Sequence, residues 1–277
     1  MVWRWVVKMD IEIQDLTHTY PNGAAALRGV SLEIRAGAQI ALLGQNGAGK
    51  TTLVKHLNGL LKPTRGSVRV GDWDTRAHSI AQLARRVGFV FQNPDEQLFK
   101  TRAADEIAVG PTNLKFARAE IETRVARALR VCELDAVRDA HPYDLSPSQR
   151  RWVAIASVVA METPVVVLDE PTTGQDARGL ARLTRLLDMW RAQKVTVIAV
   201  THDVDFAIEN FSELCLMSEG QVLARGDAAV FDDVSAVARA ALDVPQLMRL
   251  ANALGWRERV VRAQEFCAVY ARRRGRA

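Results

Sequence analysis

The residues from Gly44 to Thr51 have a spacing that can hold a phosphate group. They read Gly-Gln-Asn-Gly-Ala-Gly-Lys-Thr, which fits the pattern G-x-x-x-x-G-K-[ST], and they follow an apolar run. Glycines let successive backbone N–H groups turn towards one anion, and the helix that follows directs its positive end at the same charge. The pattern predicts a nucleotide-binding loop. Its phosphate-contacting residues are expected to be Gly44, Asn46, Gly47, Ala48 and Gly49.

Three side chains after the glycines complete this prediction. Lys50 is expected to reach the β and γ phosphates, and Thr51 to place its hydroxyl on Mg²⁺, a hard cation that prefers oxygen ligands. Thr52 is a candidate ligand of the α phosphate. The alternative is a glycine turn that only joins a strand to a helix. Residues 51–57 disfavour it because they continue with helical apolar spacing.

Polar side chains also follow three apolar runs that resemble buried strands. Asp169 and Glu170 follow one run, His202 follows the next, and Gln92 ends an earlier one. The carboxyl ends of parallel strands meet at one edge of a sheet, so these side chains are expected near the phosphate loop. The alternatives are an exposed turn for the two acids and an ordinary polar residue for the histidine.

This set of side chains could split a γ-phosphate. Asp169 suits a carboxylate that holds Mg²⁺ opposite Thr51, and Glu170 would face the attacking water. Lys50 would neutralise charge, and His202 would help to orient the water. The expected catalytic residues are therefore Lys50, Glu170 and His202.

The elements that must position these residues indicate an α/β fold. Alternating segments near residues 10–13, 30–34 and 67–70 predict a small antiparallel β subdomain, whereas continuous apolar strands separated by a helix predict a mostly parallel P-loop NTPase core. A helical insertion is expected at about 96–160. We predict an ATPase domain over 9–231 and a helical C-terminal extension over 232–277.

Composition restricts the class of protein. In 277 residues, 48% are hydrophobic and 25% are charged, which is typical of a globular protein. The longest apolar run, 152–161, is about half of the roughly 20 residues that a membrane-spanning helix needs. No signal peptide is recognised, and three scattered cysteines indicate reduced thiols rather than disulfides. The net charge of +5 includes a basic tail, but no nucleic-acid partner is expected because aromatic stacking residues are missing there.

Several motifs in this order resemble the nucleotide-binding subunit of ABC transporters. They are the Lys50 loop, Gln92, the segment 145–149, the segment 168–172, Asp176 and the segment 201–203. Within that family, the segments 55–60, 91–99 and 242–255 are similar to energy-coupling factor (ECF) ATPases, which serve vitamin and cobalt or nickel uptake. The resemblance implies ATP hydrolysis that energises uptake.

The resemblance also implies roles for single residues. Tyr20 would stack on adenine, and Gln92 would sense Mg²⁺, which makes Thr51, Gln92 and Asp169 the expected metal ligands. The implied trans-acting residues are Ser146, Ser148 and Gln149 of the signature segment and Asp176 of the D-loop, which lines the seam of a dimer. The implied partners are a second ABC ATPase, identical or different, a transmembrane coupling subunit and a substrate-binding membrane subunit. The implied location is the cytoplasmic face of the cell membrane, with peripheral attachment.

The chain departs from the family in the signature segment, where Pro147 and Ser148 replace two glycines. Ser146 and Gln149 still predict a capping box, so a helix should begin here. A weakened signature is expected because one N–H is lost and a side chain is added. Gln175 also replaces an apolar residue. Two other functions stay open: a nucleotide-gated subunit with little hydrolysis, and a soluble ABC ATPase outside transport.

Overall fold

The computed structural model describes residues 9–256 and 258–274 of the chain. Its strands are β1 (Ile11–Thr19), β2 (Ala25–Ile34), β3 (Gln39–Leu43), β4 (Arg65–Val70), β5 (Trp73–Asp74), β6 (Val87–Val90), β7 (Val165–Asp169), β8 (Thr196–Thr201), β9 (Glu213–Ser218) and β10 (Gln221–Gly226). Its helices are α1 (Lys50–Lys55), α2 (Ile80–Leu83), α3 (Ala103–Asn113), α4 (Arg118–Val131), α5 (Pro147–Met161), α6 (Ala177–Ala192), α7 (Val204–Asn210), α8 (Val234–Arg239), α9 (Gln246–Ala253) and α10 (Ala263–Arg274).

The strands form two sheets. The smaller sheet is antiparallel, in the order β2, β1, β4, β5. The larger sheet has the order β10, β9, β3, β8, β7, β6, in which every pairing is parallel except that of β10 with β9. The predicted combination of a parallel core and an antiparallel subdomain is confirmed. Strands β5, β9 and β10 were not predicted.

Both faces of the larger sheet are buried, which explains why its strands are continuously apolar. In β3, Ala41 and Leu43 pack in one apolar cluster with the helices, whereas Ile40 and Leu42 pack in a second cluster with the antiparallel sheet. The sheet thus lies between the helical layer and the smaller sheet. The carboxyl ends of β3, β6, β7 and β8 point to one edge, as predicted.

Helices α3, α4 and α5 pack on one another within the predicted helical insertion. Helix α5 begins as the sequence predicts, because the Ser146 hydroxyl accepts from the Gln149 N–H and the Gln149 side chain accepts from the Ser146 N–H. Pro147 occupies the first helical position, where its missing N–H costs no helical hydrogen bond.

The C-terminal helices divide into two groups. Ala236, Val237 and Ala240, in and just after α8, belong to the same apolar cluster as the helical layer. Helices α9 and α10 instead share a small cluster that contains Ala251 and Val269. The division of the chain at residue 232 stays a prediction. Among the described residues, no helix is both long enough and apolar enough to cross a membrane.

Candidate nucleotide-binding site

The predicted phosphate loop connects β3 to α1 at the carboxyl edge of the larger sheet. A Cβ atom at Gly44 would overlap the carbonyl oxygen of Met217, and one at Gly49 would lie 2.6 Å from the carbonyl oxygen of Ala26. Gly47 and Gly49 have φ angles of 83° and 96°, which L side chains rarely adopt. The backbone therefore forms a tight loop that needs glycine at these positions, and a loop of this kind can direct its N–H groups at an anion.

Lys50 is almost completely buried at the start of α1. Its Nζ donates to the carbonyl oxygens of Gly44 and Gln45, at 2.6 and 3.0 Å. Burial lowers the pKa of this ammonium, and the carboxylates of Glu170 and Asp169 oppose that shift. The cation is thus held inside the loop by weak neutral acceptors, which a phosphate oxygen can replace.

Thr51 and Asp169 place two side-chain oxygen atoms next to each other, one from the start of α1 and one from the end of β7. The Thr51 hydroxyl donates to Asp169 Oδ1 at 3.1 Å, across 118 residues of sequence. Burial raises the pKa of Asp169 to about 6, against the effect of the Thr51 hydrogen bond. A hydroxyl beside a buried carboxylate is a donor set that suits a hard divalent cation, whose charge would also favour the ionised form of the carboxylate.

Tyr20 and Thr52 are brought together, which the sequence did not predict. The Tyr20 hydroxyl lies 3.0 Å from Thr52 Oγ1, and both residues line the cleft. The edge of the His18 ring meets the Tyr20 ring at 4.8 Å between centroids. The tyrosine ring is therefore held beside α1, and the Thr52 hydroxyl already has a partner within the chain.

Glu170 follows β7 and is buried, with only 6% of its side chain exposed. His202 follows β8, and its Nδ1 lies 2.9 Å from Glu170 Oε2. This approach lacks hydrogen-bond geometry, so Glu170 Oε2 is buried without a donor among the described residues. A buried carboxylate oxygen with free lone pairs can accept a proton or a hydrogen bond from a small ligand such as water.

Arg151 is a site residue that the sequence reasoning missed. Its guanidinium donates to the backbone carbonyls of Gln92, at 2.6 Å, and Glu170, at 3.0 Å. Burial lowers the pKa of Arg151, while the nearby carboxylates of Glu170 and Asp169 raise it. The helix α5 thereby fixes the backbone at the ends of β6 and β7. A buried arginine on the apolar helix 147–161 is the sequence signal that could have indicated it.

The structure gathers most of the predicted residues around a cleft of about 570 Å³. Ten predicted residues line it: Tyr20, Asn46, Gly47, Ala48, Gly49, Lys50, Thr51, Thr52, Gln92 and Glu170. Residues 24–26 also line it, which the sequence did not predict. Gly44 and His202 instead line a neighbouring hollow with the segment 241–246.

The predicted trans-acting residues do not line this cleft. Ser146 and Gln149 form the capping box of α5, and Asp176 caps α6 by accepting from the Gly179 N–H at 2.7 Å. Ser148 donates to Gln175 Oε1 at 3.1 Å. Within one chain, the signature segment and the D-loop therefore contact each other rather than the phosphate loop.

Comparison with known proteins agrees with this geometry. The family model described as ABC transporter matches residues 27–173, which contain the phosphate loop, the signature segment and the two acids at the end of β7. The chain belongs to the ABC transporter family. This membership confirms the predicted fold and identifies an ABC-type ATPase that binds ATP.

Individual relatives of this ABC transporter chain match along most of its length. An ABC transporter ATP-binding protein of Geobacter sulfurreducens is 42% identical over 86% of the chain and 95% of its own length. The energy-coupling factor transporter ATP-binding protein EcfA of Methanocaldococcus jannaschii is 36% identical over 90% of the chain and 91% of its own length. The structure of CbiO1 from Clostridium perfringens, described as part of a CbiONQ transporter complex, has a TM-score of 0.74 at 33% identity and covers 88% of this chain and 98% of its own.

Proposed function

We propose that this chain is the ATP-hydrolysing subunit of an energy-coupling factor type ABC importer for a vitamin or a transition-metal ion. The observation that carries the hydrolytic part is the buried Oε2 of Glu170, which accepts from no described donor and lies beside His202. In this cleft, Glu170 would accept the proton of an attacking water, and His202 would orient the γ-phosphate. The similarity to EcfA and CbiO1 supports the importer class.

The residues that would hold Mg²⁺ are Thr51, Asp169 and Gln92. Thr51 and Asp169 already present a hydroxyl and a carboxylate to one point, and Gln92 lines the same cleft as Thr51. Among the described residues, no three His, Cys, Asp or Glu side chains cluster as metal ligands, and a cation that retains several waters and binds phosphate oxygens requires no such cluster. When bound, Mg²⁺ would neutralise charge on the phosphates.

The chain's own groups would prepare the phosphate for attack. Lys50 would exchange its two loop carbonyls for phosphate oxygens, and the N–H groups of residues 46–51 would surround the same charge. Tyr20, which lines the cleft, would support the adenine. Arg151 would keep the backbone of Gln92 and Glu170 fixed during the reaction.

The signature segment would act in a dimer. One solved relative, a dimeric ATP-binding cassette bound to ADP and phosphate, has a TM-score of 0.72 at 25% identity and covers 78% of this chain and 98% of its own. In such an arrangement, Ser146, Ser148 and Gln149 would cover the ATP of a second ATPase subunit, and Asp176 would lie at the seam. The membrane partners would be a coupling subunit and a substrate-binding subunit, with this chain on the cytoplasmic face.

The experiment that tests this function is ATP hydrolysis by the purified chain, alone and with its membrane partners, beside the variant Glu170→Gln. The amide cannot accept a proton, so hydrolysis is expected to fall by about a hundredfold or more while ATP binding remains. Size-exclusion mass with ATP should then show a trapped dimer. Lys50→Ala is the matched control because it should remove ATP binding itself. Equal hydrolysis by wild type and Glu170→Gln would refute the assignment.

A nucleotide-gated subunit with little hydrolysis is the second candidate, because of one observation in α5. Pro147 has no N–H, and the N–H groups of Ser146 and Gln149 are both used in the capping box. The first turn therefore offers the Ser148 N–H and few other backbone donors to a phosphate. Tight ATP binding and dimer formation without hydrolysis, in the presence of the membrane partners, would favour this candidate.

A further inference from the structure

The side chain of Gln175 joins the D-loop to the signature helix within one chain. Its Oε1 accepts from Trp152 Nε1 at 2.8 Å and from the Ser148 hydroxyl at 3.1 Å. Trp152 and Ser148 lie four residues apart on α5, so they occupy one face of its first turns. One acceptor atom in the loop before α6 therefore binds two donors on a different helix.

The orientation of this amide is determined by its neighbours. The indole N–H of Trp152 can only donate, so it requires the oxygen of Gln175 rather than the nitrogen. As a result, Gln175 Nε2 is buried without a partner in the described structure. An unpaired buried donor is unfavourable, so the two hydrogen bonds to Oε1 must compensate for it. The contact is a specific one rather than an incidental polar pairing.

Both ends of the contact are held firmly. The Trp152 ring is 1% exposed, and the Arg182 guanidinium lies over it at 4.8 Å from the ring centroid. Arg182 also donates to Glu133 at 2.9 Å. At the other end, a Cβ atom on Gly179 would overlap the side chain of Gln175, so α6 packs directly against the amide. The hydrogen bonds thus connect two rigid elements.

We propose that Gln175 is a positioning residue, which fixes the first turn of α5 to the D-loop so that the two trans-acting segments move as one unit. This inference rests on the proposed function, in which those segments complete the ATP site of a second subunit. The contact between Ser148 and Gln175 accounts for both of these departures from the family pattern. Ser148 supplies the hydroxyl, and Gln175 supplies its acceptor; a glycine and an apolar residue could not form this bond.

The test compares two substitutions at one position. Gln175→Leu removes the acceptor for both donors, whereas Gln175→Glu keeps an acceptor oxygen for both and replaces the unpaired N–H₂ group with a second buried oxygen, at a cost in stability but not in these two hydrogen bonds. The control is Gln221→Leu, which makes the same substitution at the exposed first residue of β10. Two quantities are measured: amide hydrogen exchange of residues 148–153 without nucleotide, and the kcat and KM of ATP hydrolysis with the membrane partners.

We expect exchange in the first turns of α5 to be about tenfold faster in Gln175→Leu, and kcat to be about fivefold lower, since each lost hydrogen bond has a modest net effect. The KM for ATP should stay unchanged because the cleft around Lys50 is not touched. Gln175→Glu and Gln221→Leu should resemble the wild type in exchange and in KM. If Gln175 had a purely structural role, Gln175→Leu would lower the stability of the protein without lowering kcat at an unchanged KM.

A second pair of variants tests whether the effect of Gln175 depends on its hydrogen bond with Ser148. Ser148→Ala removes only the hydroxyl, so its effect on kcat should be smaller than that of Gln175→Leu, and the double variant should equal Gln175→Leu alone. Unchanged exchange in Gln175→Leu, or faster exchange with unchanged kcat, would overturn the inference. A wild type without hydrolysis would instead refute the proposed function, and the exchange result would then decide by itself whether Gln175 holds the helix.

Discussion

Nδ1 of His202 lies 2.9 Å from Oε2 of Glu170, although the histidine side chain is 64% exposed and the carboxylate only 6%. The two residues follow the neighbouring strands β8 and β7. The exposed ring therefore approaches the buried carboxylate from the open side of the sheet edge, where a water and a γ-phosphate would enter. In the proposed reaction, this arrangement would let His202 reach the reacting groups while its ring stays exposed.

His202→Ala should lower kcat for ATP by about a hundredfold, the usual contribution of one group that takes part in proton transfer or orients its acceptor. ATP affinity should change little because His202 does not line the main cleft. Steady-state hydrolysis and calorimetric ATP binding would separate the two effects. His78→Ala is the control, since His78 stacks on Trp73 in the antiparallel sheet. A fall in kcat of less than threefold for His202→Ala would contradict the assigned role.

Tyr20 should contribute to ATP affinity through its ring and not through its hydroxyl. The hydroxyl lies 3.0 Å from Thr52 Oγ1, so its removal in Tyr20→Phe frees Thr52 Oγ1 for a phosphate oxygen. We expect Tyr20→Phe to bind ATP as well as the wild type or slightly better. Tyr20→Ala should bind about tenfold more weakly, because stacking of a base on an aromatic ring contributes ~1–3 kcal/mol. Calorimetry in the Glu170→Gln background avoids hydrolysis, and equal affinities for all three proteins would exclude stacking.

Spacing along the chain predicted the elements and their shared edge. The loop at 44–51, the strand before Asp169 and the cap at Ser146 each depend on residues within a few positions of one another, so local patterns suffice. The strand Glu213–Ser218, which completes the parallel sheet beside β3, was missed because its apolar run is short. Such a run does not distinguish a strand from a loop or a helix.

Contacts between distant residues could not be predicted in this way. The bonds of Tyr20 to Thr52, Arg151 to Gln92 and Ser148 to Gln175 join residues that are 27 to 59 positions apart. A side-chain hydrogen bond depends on the packing of whole elements, which residue spacing does not contain. Residue spacing therefore indicated which residues lie around the cleft, but it did not indicate the hydrogen bonds that hold them there.

Arg151→Lys should lower both stability and hydrolysis. Arg151 reaches the carbonyls of Glu170 and Gln92 with two separate nitrogens of a planar guanidinium, whereas a lysine has a single nitrogen on a differently shaped side chain. We therefore expect one of the two buried carbonyls to lose its partner, at a cost of about 1–3 kcal/mol. Urea unfolding would measure this loss, and kcat should fall because Glu170 is then less well placed. Arg150→Lys is the matched control: Arg150 pairs with the exposed Asp95 at 3.0 Å, and such a pair contributes about 1 kcal/mol at most. Equal effects of the two changes would contradict the bridging role of Arg151.

His56 should make the protein less stable in mild acid. It is fully buried, its Nδ1 lies 2.7 Å from the Thr52 carbonyl oxygen, and its Nε2 lies 3.2 Å from His18 Nδ1. The pKa of His56 is lowered from 6.5 to about 4, mainly because the ring is buried, whereas the hydrogen bond to Thr52 raises it. The unfolded chain therefore binds this proton more readily than the native protein between pH 6.5 and pH 4. The contribution of neutral His56 to the free energy of unfolding is fully present above pH 6.5 and decreases as the pH falls through this window.

The expected loss from this one group is about 2 kcal/mol between pH 7 and pH 5, from 1.4 kcal/mol for each pKa unit. Urea unfolding across that range would measure it, with His56→Asn as the comparison. The asparagine amide can still donate to the Thr52 carbonyl but does not titrate, so its stability should be lower at pH 7 and should decline less steeply. Titrating groups that do not contact His56 affect both proteins equally, so the difference between the two slopes reports on His56 together with its neighbour His18. Parallel slopes would mean that the histidine is protonated as easily in the folded protein as in the unfolded chain.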